Sequence, residues 1–291
     1  MMRSMNSQAD EGRPGHGTVT RFEAETEVRA LGEGHFEVEL HPSWWIIAGP
    51  NGGYIAALLL RAMVRTVDDV SRPPRSMTVQ YLRSPAEGSA RIVVTVERSG
   101  RSVSNLTARM LQGDQLVALA VAAFGSARPG SVDFDESGGL AAALDGLAIP
   151  TPDDTPVIEV DPDRDVPMRS HYDLRWVVGT LPFSARPGDD VRARSGGWLR
   201  PAEQVPIDEV VLAAMADAWM PPVFSRLTEP LAVPTIDLTI HFRALPADPL
   251  GFCFVLFESP VAIDGYVVEH GRIFAPDGSL LVECRQLAVL I

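Results

Sequence analysis

The chain has 291 residues, of which 46% are hydrophobic, so it can build one large packed domain or two of ordinary size. Its formal net charge is -13, from 25 Lys and Arg against 38 Asp and Glu, and such a charge repels a polyphosphate backbone. Composition therefore excludes a disordered chain, and charge argues against a nucleic-acid partner.

The N-terminal segment, residues 1–17, is polar and lacks the apolar core of a secretory signal, so we expect a disordered tail. No stretch approaches the roughly 20 apolar residues of a membrane-spanning helix. Only two cysteines occur, Cys253 and Cys284, and both lie in apolar runs, which suits reduced core thiols better than a disulfide framework. These features predict a soluble, cytoplasmic protein with no membrane insertion.

Two stretches predict buried helices. The first runs from Tyr54 to about Val67, and its apolar residues occupy nearly every position to Leu60. The second runs from Pro206, a favourable first-turn residue, to Met220, where two prolines follow. Each helix is followed by strands with an alternating pattern, so both halves of the chain have the same order of elements.

Matched positions in the two halves indicate an internal duplication. Arg83 and Arg243, at the ends of similar strands, are 160 residues apart, and Arg109 and Arg272 are 163 residues apart. The segment between the halves is rich in Gly, Pro, Ser and Asp, as in a linker. We therefore predict a tail at 1–17, an N-terminal domain at 18–125, an acidic linker at 126–165 and a C-terminal domain at 166–291.

A long buried helix followed by antiparallel strands that can wrap around it is the hotdog arrangement. Two such units predict an α+β fold of the double hotdog type, with the two sheets joined edge to edge because pairing removes exposed strand edges. A different α+β fold with a duplicated unit would produce the same patterns.

Asp217 lies near the end of the second predicted helix without a side chain three or four residues away that can pair with it. Its charge opposes the dipole of that helix. It is either a surface acid or a buried carboxylate that needs hydrogen-bond donors.

The last strand carries Gln286 on an otherwise apolar face, and a buried amide needs partners. The matching face in the first half, between Leu116 and Phe124, has only apolar residues. Thr235 opens another strand directly after Pro234. Asp237, two residues further, is expected on the same face as Thr235 and is interpreted as a solvated or ion-paired acid.

Several of these segments resemble, in order and approximate spacing, those of the acyl-CoA thioesterase II family. In the second half they are Ala216-Asp217, Val233–Asp237 with Phe242-Arg243, and Val282–Gln286. In the first half they are Gly52-Gly53, Tyr81–Arg83, and Gly100–Ser104 with Thr107–Arg109. The likeness covers roughly 36–125 and 171–291; Tyr54, where the family often has glutamine, and the long linker depart from it.

The resemblance implies hydrolysis of fatty acyl-CoA to free fatty acid and CoA, a reaction of lipid metabolism that needs no cofactor. It implies that Asp217, Thr235 and Gln286 hold and activate the hydrolytic water. Gly52, Gly53 and Tyr54 are expected to bind substrate or the oxyanion, because backbone N–H groups at a helix start suit that role. An anionic substrate such as CoA would require arginines near the mouth of the site.

Other functions have weaker support in the sequence. No Gly-x-Ser-x-Gly occurs, the six histidines lack the spacing of metal ligands, and a hydratase would need a histidine near Asp217. Cys284 as a nucleophile has no histidine near it in sequence. The alternative is a non-catalytic protein that binds acyl-CoA or an acyl carrier, with Trp44, Trp45 and Trp219 in its tunnel or in its core. A homodimer of this chain is a further expectation.

Overall fold

The computed structural model of the protein describes residues 19–130, 132–184, 186 and 191–291. The predicted disordered tail at 1–17 lies outside the described residues. The α-helices are α1 (Arg21–Glu25), α2 (Gly52–Val67), α3 (Gly139–Ala143) and α4 (Glu209–Met215), with short 3₁₀ helices at Pro42–Trp44, Pro167–His171 and Pro222–Arg226. The strands are β1 (Arg29–Gly32), β2 (His35–Leu40), β3 (Pro74–Tyr81), β4 (Gly88–Ser99), β5 (Val103–Gln112), β6 (Gln115–Gly125), β7 (Tyr172–Val178), β8 (Arg194–Pro201), β9 (Thr235–Phe242), β10 (Cys253–Ile263), β11 (Tyr266–Phe274) and β12 (Leu280–Val289).

Within these described ranges, all twelve strands form one antiparallel sheet. Its order is β1-β2-β4-β5-β6-β3-β9-β12-β11-β10-β8-β7, so the second half repeats the order of the first about the contact of β3 with β9. Thr78 faces Thr239 at the middle of that contact, with the two hydroxyl oxygens 3.0 Å apart. The predicted edge-to-edge junction of two related half-sheets is confirmed.

The strand register tests the predicted duplication position by position. Leu106 pairs with Ala122 in the first half, and Glu269 pairs with Gln286 at the equivalent point of the second half. Arg109 and Arg272 each lie three residues further along the same strand, so they occupy equivalent positions. Arg243 is instead equivalent to Leu82, because the backbone N–H of each donates to the equivalent carbonyl of the neighbouring strand. The duplication is confirmed, and the match of Arg83 with Arg243 is wrong by one residue.

Helix α2 lies on the inner face of the sheet and is buried along most of its length. It begins at Gly52, two residues before the predicted start, because the Asn51 side chain caps it by accepting the N–H of Tyr54 at 3.1 Å. It ends at Val67, and the next residue, Asp68, adopts the left-handed conformation. Each half-sheet thus wraps one central helix, as expected for a double hotdog.

Helix α4 packs against α2 and is shorter than the predicted span from Pro206 to Met220. It begins after Asp208, whose carboxylate accepts the N–H of Val211 at 2.8 Å, and it ends at Met215. The helix can end early because carbonyls after its last turn have tertiary partners. The Ala216 carbonyl, for example, accepts the thiol of Cys284 at 3.5 Å.

The core contains Trp44, which stacks between Tyr54 and His171 with ring centroids 4.8 and 3.7 Å away. Trp219 is also buried, and its indole N–H donates to Ser195 at 3.0 Å. Both tryptophans therefore belong to the core, which is one of the two positions expected for them, the other being a substrate tunnel. Trp45 is partly buried against the same core.

The segment predicted as a linker contains α3 and packs on the outer face of the second half-sheet. Leu140 and Leu144 are buried there in one cluster with Trp198 and Phe254. Part of this segment therefore covers apolar surface, although its composition indicated little to bury. The predicted domain boundaries themselves stay predictions.

None of the helices in the described ranges has both the length and the apolar character needed to cross a membrane. Cys253 and Cys284 are both free and buried, in β10 and β12.

The central strand β9 provides a test of the inward face. Ile240 is fully buried, whereas His241, the next residue, is exposed on the outer face. Ile240→Ala should lower the free energy of unfolding by about 2 to 5 kcal/mol. His241→Ala should change it by less than about 0.5 kcal/mol, and denaturant unfolding of both variants checks the assignment. Equal effects of the two changes would contradict it.

Candidate active site

Asp217 follows the end of α4 and lies at the N-terminus of α2, which belongs to the other half. Its Oδ2 accepts the N–H of Gly53 at 3.1 Å and the Nδ2 of Asn51 at 2.9 Å. Asn51 Nδ2 also donates to the Asp217 carbonyl at 2.8 Å. The helix dipole of α2 favours a negative charge at this end, so α2 stabilises the Asp217 carboxylate that the dipole of α4 disfavours.

Gly53 allows the close approach of the two helices. A Cβ at this residue would lie 2.3 Å from the carbonyl oxygen of Ala214 and 3.0 Å from Oδ1 of Asn51. No side chain fits in that space without moving the backbone of α2 away from the turn that carries Asp217. The glycine is therefore required by the contact between the halves.

Gln286, on the inner face of β12, connects Asp217 to Thr235. Its Nε2 donates to Asp217 Oδ1 at 2.9 Å, and its Oε1 accepts the Thr235 hydroxyl at 2.9 Å. Only 4% of Gln286 is exposed. The structure therefore brings the three predicted side chains together, with Gln286 hydrogen-bonded to each of the other two.

A β-bulge decides that Thr235 can reach Gln286. The register of β9 on β12 shifts between Leu287 and Ala288, so Thr235 pairs with Ala288 and lies on the inner face. Asp237 pairs with Leu287 and lies on the opposite face. The expectation that Thr235 and Asp237 share a face is wrong, because a regular alternation was assumed where one extra residue interrupts it.

Two members of the site, Asn51 and Glu269, were not predicted. Glu269 lies opposite Gln286 on β11, and its Oε1 accepts Gln286 Nε2 at 3.2 Å. The sequence carries the same signal that identifies Gln286, because Glu269 is an acid on a strand face otherwise formed by Val267, Gly271 and Ile273. Asn51 carries the signal of a helix cap, which does not reveal its second bond to Asp217.

Burial dominates the electrostatics of the two carboxyl groups. It raises the pKa of Asp217, while hydrogen bonds from Gln286, Gly53, Gly52 and Asn51 oppose the rise. Burial raises the pKa of Glu269 well above its usual range, and the charge of Asp217 raises it further. Asp217 accepts from more donors than Glu269 does, which favours the ionised form of Asp217 over that of Glu269.

The three residues expected to bind substrate have different positions. The N–H groups of Gly52 and Gly53 face Asp217, and the Gly52 carbonyl accepts the hydroxyl of Tyr81 at 2.8 Å. The Tyr54 hydroxyl donates to the Glu25 carbonyl at 2.8 Å, and its ring stacks on Trp44. The structure thus places the Tyr54 side chain in the core, away from Asp217, because successive helix residues point in different directions.

The contact at Gly53 gives a prediction about this site. Gly53→Ala should separate α2 from the turn after α4 and lower the free energy of unfolding by about 1 to 3 kcal/mol. Gly125→Ala is the matched control, because a Cβ there meets its nearest atom at an ordinary 3.5 Å. Thermal unfolding of both variants provides the comparison, and equal melting temperatures would count against the close contact.

Comparison with known proteins adds independent information. Residues 41–125 match the family described as the acyl-CoA thioesterase N-terminal domain, and residues 150–290 match the acyl-CoA thioesterase C-terminal domain. Uncharacterized protein Rv0499 of Mycobacterium tuberculosis is 27% identical over 276 residues, which cover 88% of this chain and 90% of that protein.

Solved structures have the same fold. A hot dog protein of unknown function from Alicyclobacillus acidocaldarius is 24% identical with a TM-score of 0.81, covering 94% of this chain and 99% of that one. The acyl-CoA thioesterase II TesB2 of Mycobacterium marinum is 22% identical with a TM-score of 0.71, covering 93% and 98%. Because its two halves match the two domains of one family in the same order, this protein belongs to the acyl-CoA thioesterase family.

Proposed function

We propose that this protein hydrolyses fatty acyl-CoA to a free fatty acid and CoA, with a water activated by Asp217, Thr235 and Gln286. One observation carries the proposal. The hydrogen bonds from Thr235 to Gln286 and from Gln286 to Asp217 form a continuous chain that ends at the N-terminus of α2. Family membership supplies the substrate class.

Asp217 is the general base in this proposal. Its carboxylate is fixed by Gly53 and Asn51 on one oxygen and by Gln286 on the other, so its orientation is set before substrate binds. It takes a proton from the water while the water oxygen attacks the thioester carbonyl carbon. The carbon–sulfur bond then breaks, and the CoA thiolate takes up the proton that Asp217 received from the water. Such a base contributes about 10²- to 10⁴-fold to the rate.

Thr235 and Gln286 position the water. The Thr235 hydroxyl donates its proton to Gln286, so its oxygen can accept a hydrogen bond from the water. Gln286 holds both Thr235 and Asp217, which keeps the two acceptors at a fixed separation. Catalysis in this scheme needs no covalent intermediate.

The oxyanion role of Gly52 and Gly53 stays a prediction. In the structure, the N–H of Gly53 already donates to Asp217. These glycines therefore have a role in holding the base, and the proposed hydrolysis does not depend on a second one.

The substrate and binding partner in this proposal is acyl-CoA, and we expect the protein to assemble as a homodimer. The buried free thiols of Cys253 and Cys284 support a reducing, cytoplasmic location. Light scattering of the purified protein measures the assembly directly.

The role of Asp217 predicts a large kinetic effect. Asp217→Asn removes the base with little change in shape and should lower kcat for acyl-CoA by about 10²-fold or more. Asp237→Asn, on the opposite face of β9, is the matched control and should keep the wild-type rate. A panel of acyl-CoAs of graded chain length serves as substrate. If Asp217→Asn binds and hydrolyses them like the wild type, the base is elsewhere; if the wild type binds without turnover, the protein is a binding module.

The raised pKa of Asp217 predicts the shape of the pH profile. The base must be ionised, so kcat/KM should fall as the pH drops through that pKa, which lies above the ordinary aspartate value of about 3.9. A pH–rate profile on a soluble acyl-CoA checks this limb. An acid limb at or below the ordinary aspartate value would contradict the assignment of Asp217 as the base.

Thr235 and Gln286 should act as one unit. Thr235→Ala and Gln286→Ala should each lower kcat less than Asp217→Asn does, and the double variant should lose less than the product of the two single effects. The reason is that both side chains serve the same water. Steady-state kinetics of the four proteins measure the coupling, and strictly multiplicative effects would show that the two act independently.

A further inference from the structure

Glu269 is a buried acid that the proposed mechanism does not use. It lies in the middle of β11 on the inner face, and only 8% of it is exposed. The equivalent position in the first half is occupied by Leu106, which faces Ala122 as Glu269 faces Gln286. Burial of a carboxyl group costs free energy, and leucine at the equivalent position has no such cost. The contacts of Glu269 therefore indicate its role.

Glu269 is hydrogen-bonded to the side-chain amide of Gln286. One N–H of that amide donates to Asp217 at 2.9 Å and the other to Glu269 at 3.2 Å, while the amide oxygen accepts the Thr235 hydroxyl. Rotating the amide by 180° would place its oxygen against the Asp217 carboxylate, which has no proton to donate. Glu269 accepts from the same NH₂ group, so the two acids together hold that group in the observed orientation.

We propose that Glu269 is a positioning residue for the proposed thioesterase reaction, and that its carboxyl group fixes the Gln286 amide with the NH₂ toward Asp217 and the oxygen toward Thr235. This inference rests on the proposed function and extends it. Glu269 acts through Gln286 and does not touch the substrate.

The surroundings of Glu269 favour its neutral form. Gln286 and Cys284 face it from β12, Asp217 faces it from the turn after α4, and Ser259 lies at the β-bulge opposite it on β10. Within the parts of the chain that the structure describes, neither Glu269 nor Asp217 forms an ion pair with a basic residue. Glu269 therefore accepts from Gln286 as an uncharged acid and leaves the negative charge of the site on Asp217.

Two substitutions separate positioning from charge. Glu269→Gln keeps an uncharged acceptor of similar shape, so it should retain nearly the wild-type kcat and the same acid limb of kcat/KM. Glu269→Leu copies the first half and removes the acceptor, so it should lower kcat about 10- to 100-fold with little change in KM, as for other groups that orient a functional side chain. Glu283→Leu, the same change on the outer face of β12, is the matched control and should leave kcat unchanged.

A measurement independent of turnover accompanies the kinetics. The infrared spectrum of the wild type at neutral pH should contain the carbonyl band of a protonated carboxylic acid, which Glu269→Gln should remove and Asp217→Asn should keep. Thermal unfolding of each variant establishes that it is folded. This spectrum keeps the inference testable even if Glu269→Leu does not fold.

The outcomes distinguish this inference from the proposed function. If the wild type hydrolyses acyl-CoA and Glu269→Leu does so at the same rate, the positioning role is wrong and the function stands. If Glu269→Gln is as slow as Glu269→Leu, or if the infrared band is absent from the wild type, Glu269 does not act as a neutral acceptor. If the wild type does not hydrolyse acyl-CoA, the proposed function fails and this role fails with it.

Discussion

The contact of the Asp217 carboxylate with the N-terminus of α2 is the interaction on which the site depends. A buried carboxylate without donors is unstable by several kcal/mol, and here the donors come from the opposite half of the molecule. Asn51 and Gly53 supply them. Asn51 also caps α2, and a side chain at Gly53 would collide with the Ala214 carbonyl. The two halves therefore need each other for the site to exist.

The duplication explains why the fold is symmetric and the site is not. Three inward positions that carry Thr235, Glu269 and Gln286 in the second half carry only apolar residues in the first. Those equivalent residues are Pro74, Leu106 and Ala122. The β-bulge near the start of β9 has a counterpart in β3, where the register shifts between Pro74 and Ser76. The backbone geometry is thus shared between the halves, whereas polar side chains occupy these three strand positions only in the second half.

Two carboxyl groups on one amide would repel each other if both were ionised. Their environments differ. Asp217 accepts from a helix N-terminus and from two side chains, while Glu269 accepts a single N–H among the residues that the structure describes. This difference in donors fits the roles that we propose, with Asp217 as the base and Glu269 as its neutral partner.

The sequence predicted the double hotdog architecture and, from its own pattern, two of the three central residues of the candidate site. Apolar helices, alternating strands and matched positions indicated two related units. A lone amide at Gln286 and a partnerless acid on the apolar helix at Asp217 indicated side chains that need buried partners. Thr235 entered through family resemblance, since a threonine at a strand start carries no signal of its own.

Which groups satisfy these side chains depends on tertiary contacts. The early end of α4, the β-bulge that separates Thr235 from Asp237, and the placement of Asn51 against Asp217 each depend on contacts between residues distant in sequence. Glu269, like Gln286, is a polar residue on an apolar strand face, so the sequence of β11 could have identified it as a buried polar residue. The sequence could not have identified Gln286 as its partner. Local periodicity reports which face of an element is buried, whereas only the packing of elements reports what lies across from that face.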